Sequence, residues 1–408
     1  MAHNVLVLSS AALPATPAGR RALGMPPAGF RSGRRRGNLP EDMVSCRVEG
    51  LTAGDAARLA RALRAAGGTA APAPGDRHHV IVFQAGAATL PRVLRRARRI
   101  APCAIREIAA ALRHASGRPA PLRLRHGSLL VFGQRTCVMG VLNVTPDSFS
   151  DGGRFLDPQA AVRRALQMAD EGADIIDVGG ESTRPGASPI GLQEESRRVL
   201  PVLEALLPAL RRRPDGGPLV SIDTTRSETA RRATALGVGM INDISGMTFD
   251  PAMAAVAAEH HVPVVLQHIR GRPPTMQRAP RYARLLPEIA AFLRAAIERA
   301  RRAGVREDRI VIDPGLGFGK TRAHNLTILR HLHVLKSLGR PILIGASRKS
   351  FIGGALDPPP AGRLEGSLAA EALAIAGGAD IIRAHDVRQA VRVARLCDAV
   401  LRGPSGRR

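Results

Sequence analysis

From Val138 onward, short apolar runs alternate with longer amphipathic stretches eight times, and few folds accommodate such a repeat. The apolar runs predict strands at 139–144, 175–179, 220–223, 240–243, 264–268, 310–313, 342–345 and 381–384. Between them, stretches such as 158–171, 196–211, 251–261 and 285–303 carry helical periodicity. Strand–helix alternation implies parallel strands joined by right-handed crossovers. Eight units in about 270 residues match a TIM barrel, for which ~250 residues are typical. An open doubly wound sheet has fewer strands in that length. The expected fold class is therefore α/β: a (β/α)8 TIM barrel over 129–402, preceded by a small α/β domain.

That domain occupies 41–115, where 56–66, 90–100 and 105–112 read as helices and 80–83 as a short strand. A linker is expected at 116–128, because Gly, Pro and Ser cluster at its start. Residues 1–40 contain no acid and include the run Arg34-Arg35-Arg36, a composition that predicts disorder. The apolar stretch 5–12 lacks a basic region before it, which argues against a secretory signal. Nothing apolar follows Arg20-Arg21, which argues against twin-arginine export. The segment fits a transit-like leader or a chain whose translation begins at Met25 or Met43.

The formal net charge is +26, from 60 basic and 34 acidic residues, and only three of the 60 are Lys: Lys320, Lys336 and Lys349. Charge is uneven, since residues 1–135 hold 22 Arg and 6 acids. Within them, 92–99 is rich in Arg but has no interleaved aromatics for base stacking. It reads as a solvated helix face, and nucleic acid is not an expected partner. A positive field also attracts anionic small molecules. The four cysteines (Cys46, Cys103, Cys137, Cys397) form no CxxC pair, which argues against disulfide or metal frameworks and suits a reducing cytoplasm. No apolar run reaches the ~18–20 residues of a membrane span.

Catalytic groups of such barrels gather at the carboxyl ends of the strands, and polar residues stand there throughout. Asn143, Asp223, Asn242-Asp243, His268 and Asp313 end the first and the third to sixth strands. Glu181-Ser182-Thr183-Arg184 follow the second, Ser347-Arg348-Lys349-Ser350 the seventh, and Arg383-Ala384-His385-Asp386 end and follow the eighth. Any one of these could be a helix cap; all eight together point to a site. Asp223, Asn242 and Asp313 offer the acceptor-rich mixture that an amino-lactam heterocycle such as a pterin or guanine requires. Arg184, Arg383 and His385 are read as cationic donors for phosphate. Asn143 supplies an oxygen of the kind Mg²⁺ takes alongside phosphates and waters. Ser350 opens a helix whose amino end favours a carboxylate. Gly319-Lys320-Thr321 ends like a Walker A motif, but its first Gly would fall at Pro314, and the glycines 315, 317 and 319 miss GxGxxG. Neither nucleotide motif is present. His268 is read as a packed, hydrogen-bonded residue rather than a catalyst.

These segments resemble the dihydropteroate synthases. MGVLNVTPDSFSDGG at 139–153, DVGGESTRPG at 177–186, SIDTTR at 221–226, INDISG at 241–246, DPGLGFGK at 313–320, SRKS at 347–350 and RAHD at 383–386 stand in that family's order. The resemblance implies that Asp223, Asn242, Asp313 and Lys349 bind the pterin, and that Asn143, Arg184, Arg383 and His385 handle pyrophosphate, Asn143 through Mg²⁺. It implies that Phe149, Thr183, Pro185, Phe318 and Ser350 surround para-aminobenzoate, with Asp151 in a loop that closes over it. Arg383, Lys349, Asp151 and Arg184 are the implied catalytic set, and a homodimer the implied assembly. Some members carry a small α/β extension, to which 59–71 is similar. Two residues depart from the common pattern: Gln267 where many members have Met, and Ala384 where many have Val. A corrinoid-dependent methyltransferase barrel would share the pterin-facing residues but has no need of SRKS or the Phe149 loop. Intact Asn143, Asp223, Lys349 and Arg383 speak against a non-catalytic relative or a purely basic binding protein.

Overall fold

The computed structural model describes residues 4–9, 43–72, 79–86, 89–124, 129–145, 157–182, 188–356 and 362–403. The chain divides into two units. One comprises Met1–Arg118 with Tyr282–Arg294 and His331–Gly339; the other comprises Pro119–Arg281, Ala295–Arg330 and Arg340–Arg408.

In the first unit, strands β1 (Asn4–Ser9), β2 (Met43–Leu51), β3 (Thr69–Pro72) and β4 (His79–Gly86) form an antiparallel sheet in the order β1-β2-β4-β3. Helices α1 (Ala53–Ala65), α2 (Leu90–Ala97) and α3 (Pro102–Ser116) belong to the same unit. Thr52 starts α1 by accepting a hydrogen bond from the Asp55 N–H at 3.1 Å, an N-cap that satisfies an otherwise orphaned donor. Val5, Cys46, Val48, Ile81 and Phe83 of the sheet pack with Leu59, Leu63, Val93, Ile105 and Ile108 of the helices in one apolar core.

Two sequence expectations change here. Residues 4–9 fall in the segment expected to be disordered, yet they form an edge strand paired from Asn4 opposite Glu49 to Ser9 opposite Val44. Residues 10–42 lie outside the described residues. Strand β2 was not expected either, because Ser45, Arg47 and Glu49 interrupt its apolar residues and leave no continuous run. These polar positions are paired: Ser45 Oγ accepts from Gln84 Nε2 at 2.8 Å, and the buried Arg47 donates through Nε to Glu49 at 2.8 Å. The expected helices are present. Arg92, Arg95, Arg96, Arg98 and Arg99, on and just after α2, are exposed.

The second unit holds the barrel. Its strands are β7 (Cys137–Asn143), β8 (Ile175–Gly179), β9 (Leu219–Asp223), β10 (Met240–Asp243), β11 (Val264–Gln267), β12 (Ile310–Asp313), β13 (Leu343–Ile344) and β14 (Ile381–Ala384). They pair in parallel in the order β12-β11-β10-β9-β8-β7-β14-β13, and a bridge between Ile312 and Ile342 closes the circle. Helices α4 (Pro158–Asp170), α5 (Leu192–Arg211), α6 (Ser227–Leu236), α7 (Met253–Glu259), α8 (Leu285–Arg302), α9 (Arg322–Arg330), α10 (Ser350–Leu356), α11 (Leu364–Ala376) and α12 (Val387–Arg402) come between or after the strands. Asp398 of α12 accepts from the N–H and hydroxyl of Thr136 at 2.7 and 2.8 Å, tying the last helix to the entry of the first barrel strand.

The expected linker is partly structured. Leu122–Arg123 (β5) pairs with Leu129–Leu130 (β6), and Leu122 and Phe132 are buried among Met139, Ile175, Met240, Val265, Val311, Leu343 and Ile381. Those residues lie toward the amino ends of their strands, so this short ribbon seals the floor of the barrel and leaves the opposite end for chemistry. Truncating Phe132 should leave a cavity in that floor. Phe132→Ala is expected to lower the unfolding free energy by about 3–5 kcal/mol, measured by urea denaturation; a loss below about 1 kcal/mol would detach the ribbon from the barrel core.

Candidate active site

Register places the polar strand ends in one ring. Asn143 stands opposite Gly179, Gly179 opposite Asp223, and Asp223 opposite Asn242. Gly179 keeps the ring open beside Asp223, since a Cβ there would lie 3.3 Å from the Asp223 Cβ. One pleat below, Asp177 sits between Val141 and Ser221, fully buried. From β14, Arg383 donates through Nε to Asp177 Oδ2 at 2.7 Å and through Nη2 to Asp223 Oδ2 at 2.8 Å. Asn242 Nδ2 donates to the same Asp177 oxygen at 2.8 Å. One guanidinium thus joins two carboxylates, and an amide joins the deeper one.

Several buried polar atoms remain unmatched among the described residues: Asp177 Oδ1, Asn242 Oδ1, Ser221 Oγ and Gln267 Nε2. Buried polar atoms almost always find partners, so this floor has capacity for a polar ligand. Asp313, opposite Gln267, accepts from the Gly315 N–H at 2.7 Å. Burial pushes Asp223 up to about 7, against the nearby Arg383, and pushes Asp313 up to about 6, against the Gly315 N–H and Lys349. The same desolvation, with the like charge of Arg383, brings Lys349 down to about 8. These groups are poised near neutrality, as binding and catalytic sites often require.

Lys349 is held by its surroundings. Its Nζ stands 4.2 Å from the centre of the Phe318 ring, a cation–π contact. The preceding Arg348 adopts φ 58°, a left-handed conformation costing roughly 1–2 kcal/mol in a non-glycine residue. Two hydrogen bonds from its guanidinium to Asp386, at 3.0 and 2.6 Å, and one from its N–H to Ser367 Oγ at 2.9 Å hold it there. Ser347 Oγ receives the His385 N–H at 3.2 Å and lies 3.1 Å from its Nδ1.

Above Asp223 a cavity of about 270 Å³ opens, with Thr224, Arg226, Phe249 and Arg272 in its walls. Arg226 reaches Glu181 at 2.5 Å, Glu195 at 3.3 Å and the Ile190 carbonyl. The buried Glu195 accepts from Thr224 and Thr229 at 2.8 and 2.6 Å. The strand end that carries Asp223 is therefore braced from behind.

The structure brings Asp223, Asn242, Asp313, Lys349, Phe318, Arg383 and His385 to the same carboxyl rim of the barrel. Asn143 ends β7 half-buried, and Ser350 opens the seven-residue α10 and is exposed. Phe149, Asp151, Thr183, Arg184 and Pro185 lie outside the described residues. One expectation needs correction. His385 was read as a cationic donor, but burial, together with Arg383, Arg348 and Lys349, lowers it to about 3, so it is neutral at physiological pH. Asp243 turns away from any ligand role; its carboxylate accepts the N–H groups of Ser245 and Met247 at 2.8 and 2.7 Å. His268 is packed as expected, buried with Lys320 Nζ 2.8 Å from Nδ1. Sequence reasoning missed Asp177. Its signal was a lone acid inside the apolar strand IIDVG, a placement that is costly unless the charge is paired.

The acid and amide floor beneath Arg383 and Lys349, at the carboxyl end of a (β/α)8 barrel, suits a flat polar heterocycle, and the class it belongs to is the pterin-binding enzymes. The family model described as pterin binding enzyme matches residues 139–385. The chain is 49% identical over 285 residues to dihydropteroate synthase of Synechocystis sp., covering 70% of this chain and 96% of that protein. It is 46% identical to the Bacillus subtilis dihydropteroate synthase over 274 residues, covering 67% and 92%. Among solved structures, Xanthomonas albilineans dihydropteroate synthase with 4-aminobenzoic acid superposes at a TM-score of 0.64 with 42% identity, covering 70% of this chain and all of that one. The Coxiella burnetii enzyme in complex with pteroic acid gives 0.61 and 38%, covering 69% and 98%. The chain belongs to the dihydropteroate synthase family.

The electrostatics lead to a direct check. Followed by carbon-detected NMR of the ligand-free protein, one buried Asp carboxyl should titrate near pH 7. Because Arg383 lowers Asp223, Arg383→Gln should move that titration upward. An unchanged or lowered value would mean that the guanidinium does not hold this carboxylate.

Proposed function

We propose that the chain condenses 6-hydroxymethyl-7,8-dihydropterin pyrophosphate with para-aminobenzoate, giving 7,8-dihydropteroate and pyrophosphate. The observation that carries this reading is the ring of Asp223, Asn242 and Asp313 around Arg383 and Lys349. Asp223 and Asp313 accept the pterin's N–H groups, Asn242 Oδ1 takes another donor, and Gln267 Nε2 offers a buried N–H to a ring acceptor. Lys349 bounds the same pocket.

In the reaction the aniline nitrogen attacks the pterin CH₂, the C–O bond to pyrophosphate breaks, and the nitrogen then loses a proton. Para-aminobenzoate's amine is already neutral near pH 7, so no strong base is required. The demanding event is departure of pyrophosphate, and cationic donors fixed in advance stabilise the charge that develops. Arg383, whose Nη1 has no hydrogen bond among the described residues, and Lys349 serve here. Arg184 is proposed to join them, and neutral His385 to donate a hydrogen bond to a phosphate oxygen.

Asn143 fits Mg²⁺ as a single protein oxygen. Among the described residues there is no cluster of acids and histidines to bind a metal alone, and a metal held chiefly by substrate phosphates and water needs none. Mg²⁺ bound there would neutralise charge on the leaving group. Phe318, Ser350, Thr183, Pro185 and Phe149 are proposed to receive para-aminobenzoate, and the segment with Asp151 to exclude water. A homodimer in the cytoplasm is the proposed setting, and no helix among the described residues is long and apolar enough to cross a membrane.

The test is pyrophosphate release by the purified chain with pterin pyrophosphate and Mg²⁺. Release should depend on para-aminobenzoate and fall at least about 100-fold in Arg383→Ala and in Lys349→Ala, roughly the loss of one charge-stabilising donor. A folded protein that binds pterin but releases no pyrophosphate would contradict the reading.

A further inference from the structure

Lys320 is one of three lysines in a chain whose other 57 basic residues are Arg, and it is buried at 3% exposure. Its Nζ lies 2.8 Å from His268 Nδ1 and donates to the Phe318 carbonyl at 3.0 Å. It therefore connects the end of β11 to the turn that follows β12. That turn is pressed against the β11 end along its length. A Cβ on Gly315 (φ 68°) would fall 2.0 Å from the His268 carbonyl oxygen, and one on Gly319 (φ 64°) 2.3 Å from the Arg270 carbonyl oxygen. Only glycine allows this approach. The turn's other side carries Phe318 beneath Lys349, and a Cβ on Gly317 would lie 3.2 Å from Lys349 Cδ. Asn325 Oδ1 accepts the Gly317 N–H at 2.8 Å and fixes the middle of the turn.

We propose that Lys320 is a positioning residue for the condensation: by holding the Phe318 carbonyl against the β11 end, it fixes the Phe318 ring on which the Lys349 ammonium rests. It touches neither substrate. The groups facing it are Asp313, Lys349, Arg270 and His268, two of them basic. Desolvation, opposed by Asp313 and aided by Lys349 and Arg270, lowers its affinity for a proton well below that of an ordinary lysine. An amine can give up its proton in such a place and still donate hydrogen bonds, whereas a guanidinium cannot. This accounts for Lys at a position where Arg would set a fixed charge beside Lys349 and Arg270.

The inference rests on the dihydropteroate synthase reading, and turnover by the parent chain in the same assay tests that reading separately. In the full chain, Lys320→Met should lower kcat/KM for para-aminobenzoate at least tenfold while the Kd for the pterin substrate changes less than threefold. Lys320→Arg should not rescue. The deciding measurement is a double-mutant cycle with Phe318→Leu. If Lys320 acts through the Phe318 ring, adding either Lys320 substitution to Phe318→Leu should cost less than threefold more. Should Lys320→Met fail to fold, the Lys320→Arg cycle carries the same test. Fold-losses that multiply, or a Lys320→Arg protein with parental kcat/KM, would overturn the proposal.

Discussion

The site depends on one guanidinium placed between two carboxylates. Arg383 bonds Asp177 through Nε and Asp223 through Nη2, and these residues come from three strands of the barrel. Taking such charges out of water costs several kcal/mol per ion, which mutual attraction does not reliably return. An apolar replacement could be as stable, so the trio is better understood as preparation for a ligand. Asp177 is fully buried, whereas Asp223 faces the cavity. The deeper carboxylate orients Arg383, and the shallower one is left near neutrality to receive a donor.

The loops above this trio follow the same logic of fixing charge by packing. Arg348 is held at positive φ by Asp386 and Ser367 so that Lys349 turns inward over Phe318. Glycines 315 and 319 let the turn after β12 lie directly on the β11 end, and Lys320 fastens it from beneath. Rigid placement of this sort lets cationic groups stabilise a departing anion without reorganising first. The floor sealed by Leu122 and Phe132 supplies the apolar foundation.

Much of this was legible in the chain. The eight barrel strands stood out because each is a short, mostly apolar run bounded by polar residues, and a strand buried on both faces reads that way. The residues at their carboxyl ends were legible for the same reason. The sheet of the first unit was less so: the buried Arg47 and Ser45 pair with Glu49 and Gln84, and such pairing has no signature in sequence. Asp177 was hidden by its setting, since its value comes from Arg383, 206 positions away. The lowering of His385 likewise comes first from burial and then from Arg383, Arg348 and Lys349, an environment that only the fold assembles.

The central claim is that Asp177 holds Arg383 ready, and turnover by Asp177→Asn tests it most directly. This change keeps the side-chain shape and removes one charge. The account predicts that kcat for pyrophosphate release falls at least about tenfold, or roughly 1.4 kcal/mol of barrier, with the thermal midpoint close to that of the parent. A parental kcat would show that Arg383 needs no such anchor and would contradict the account.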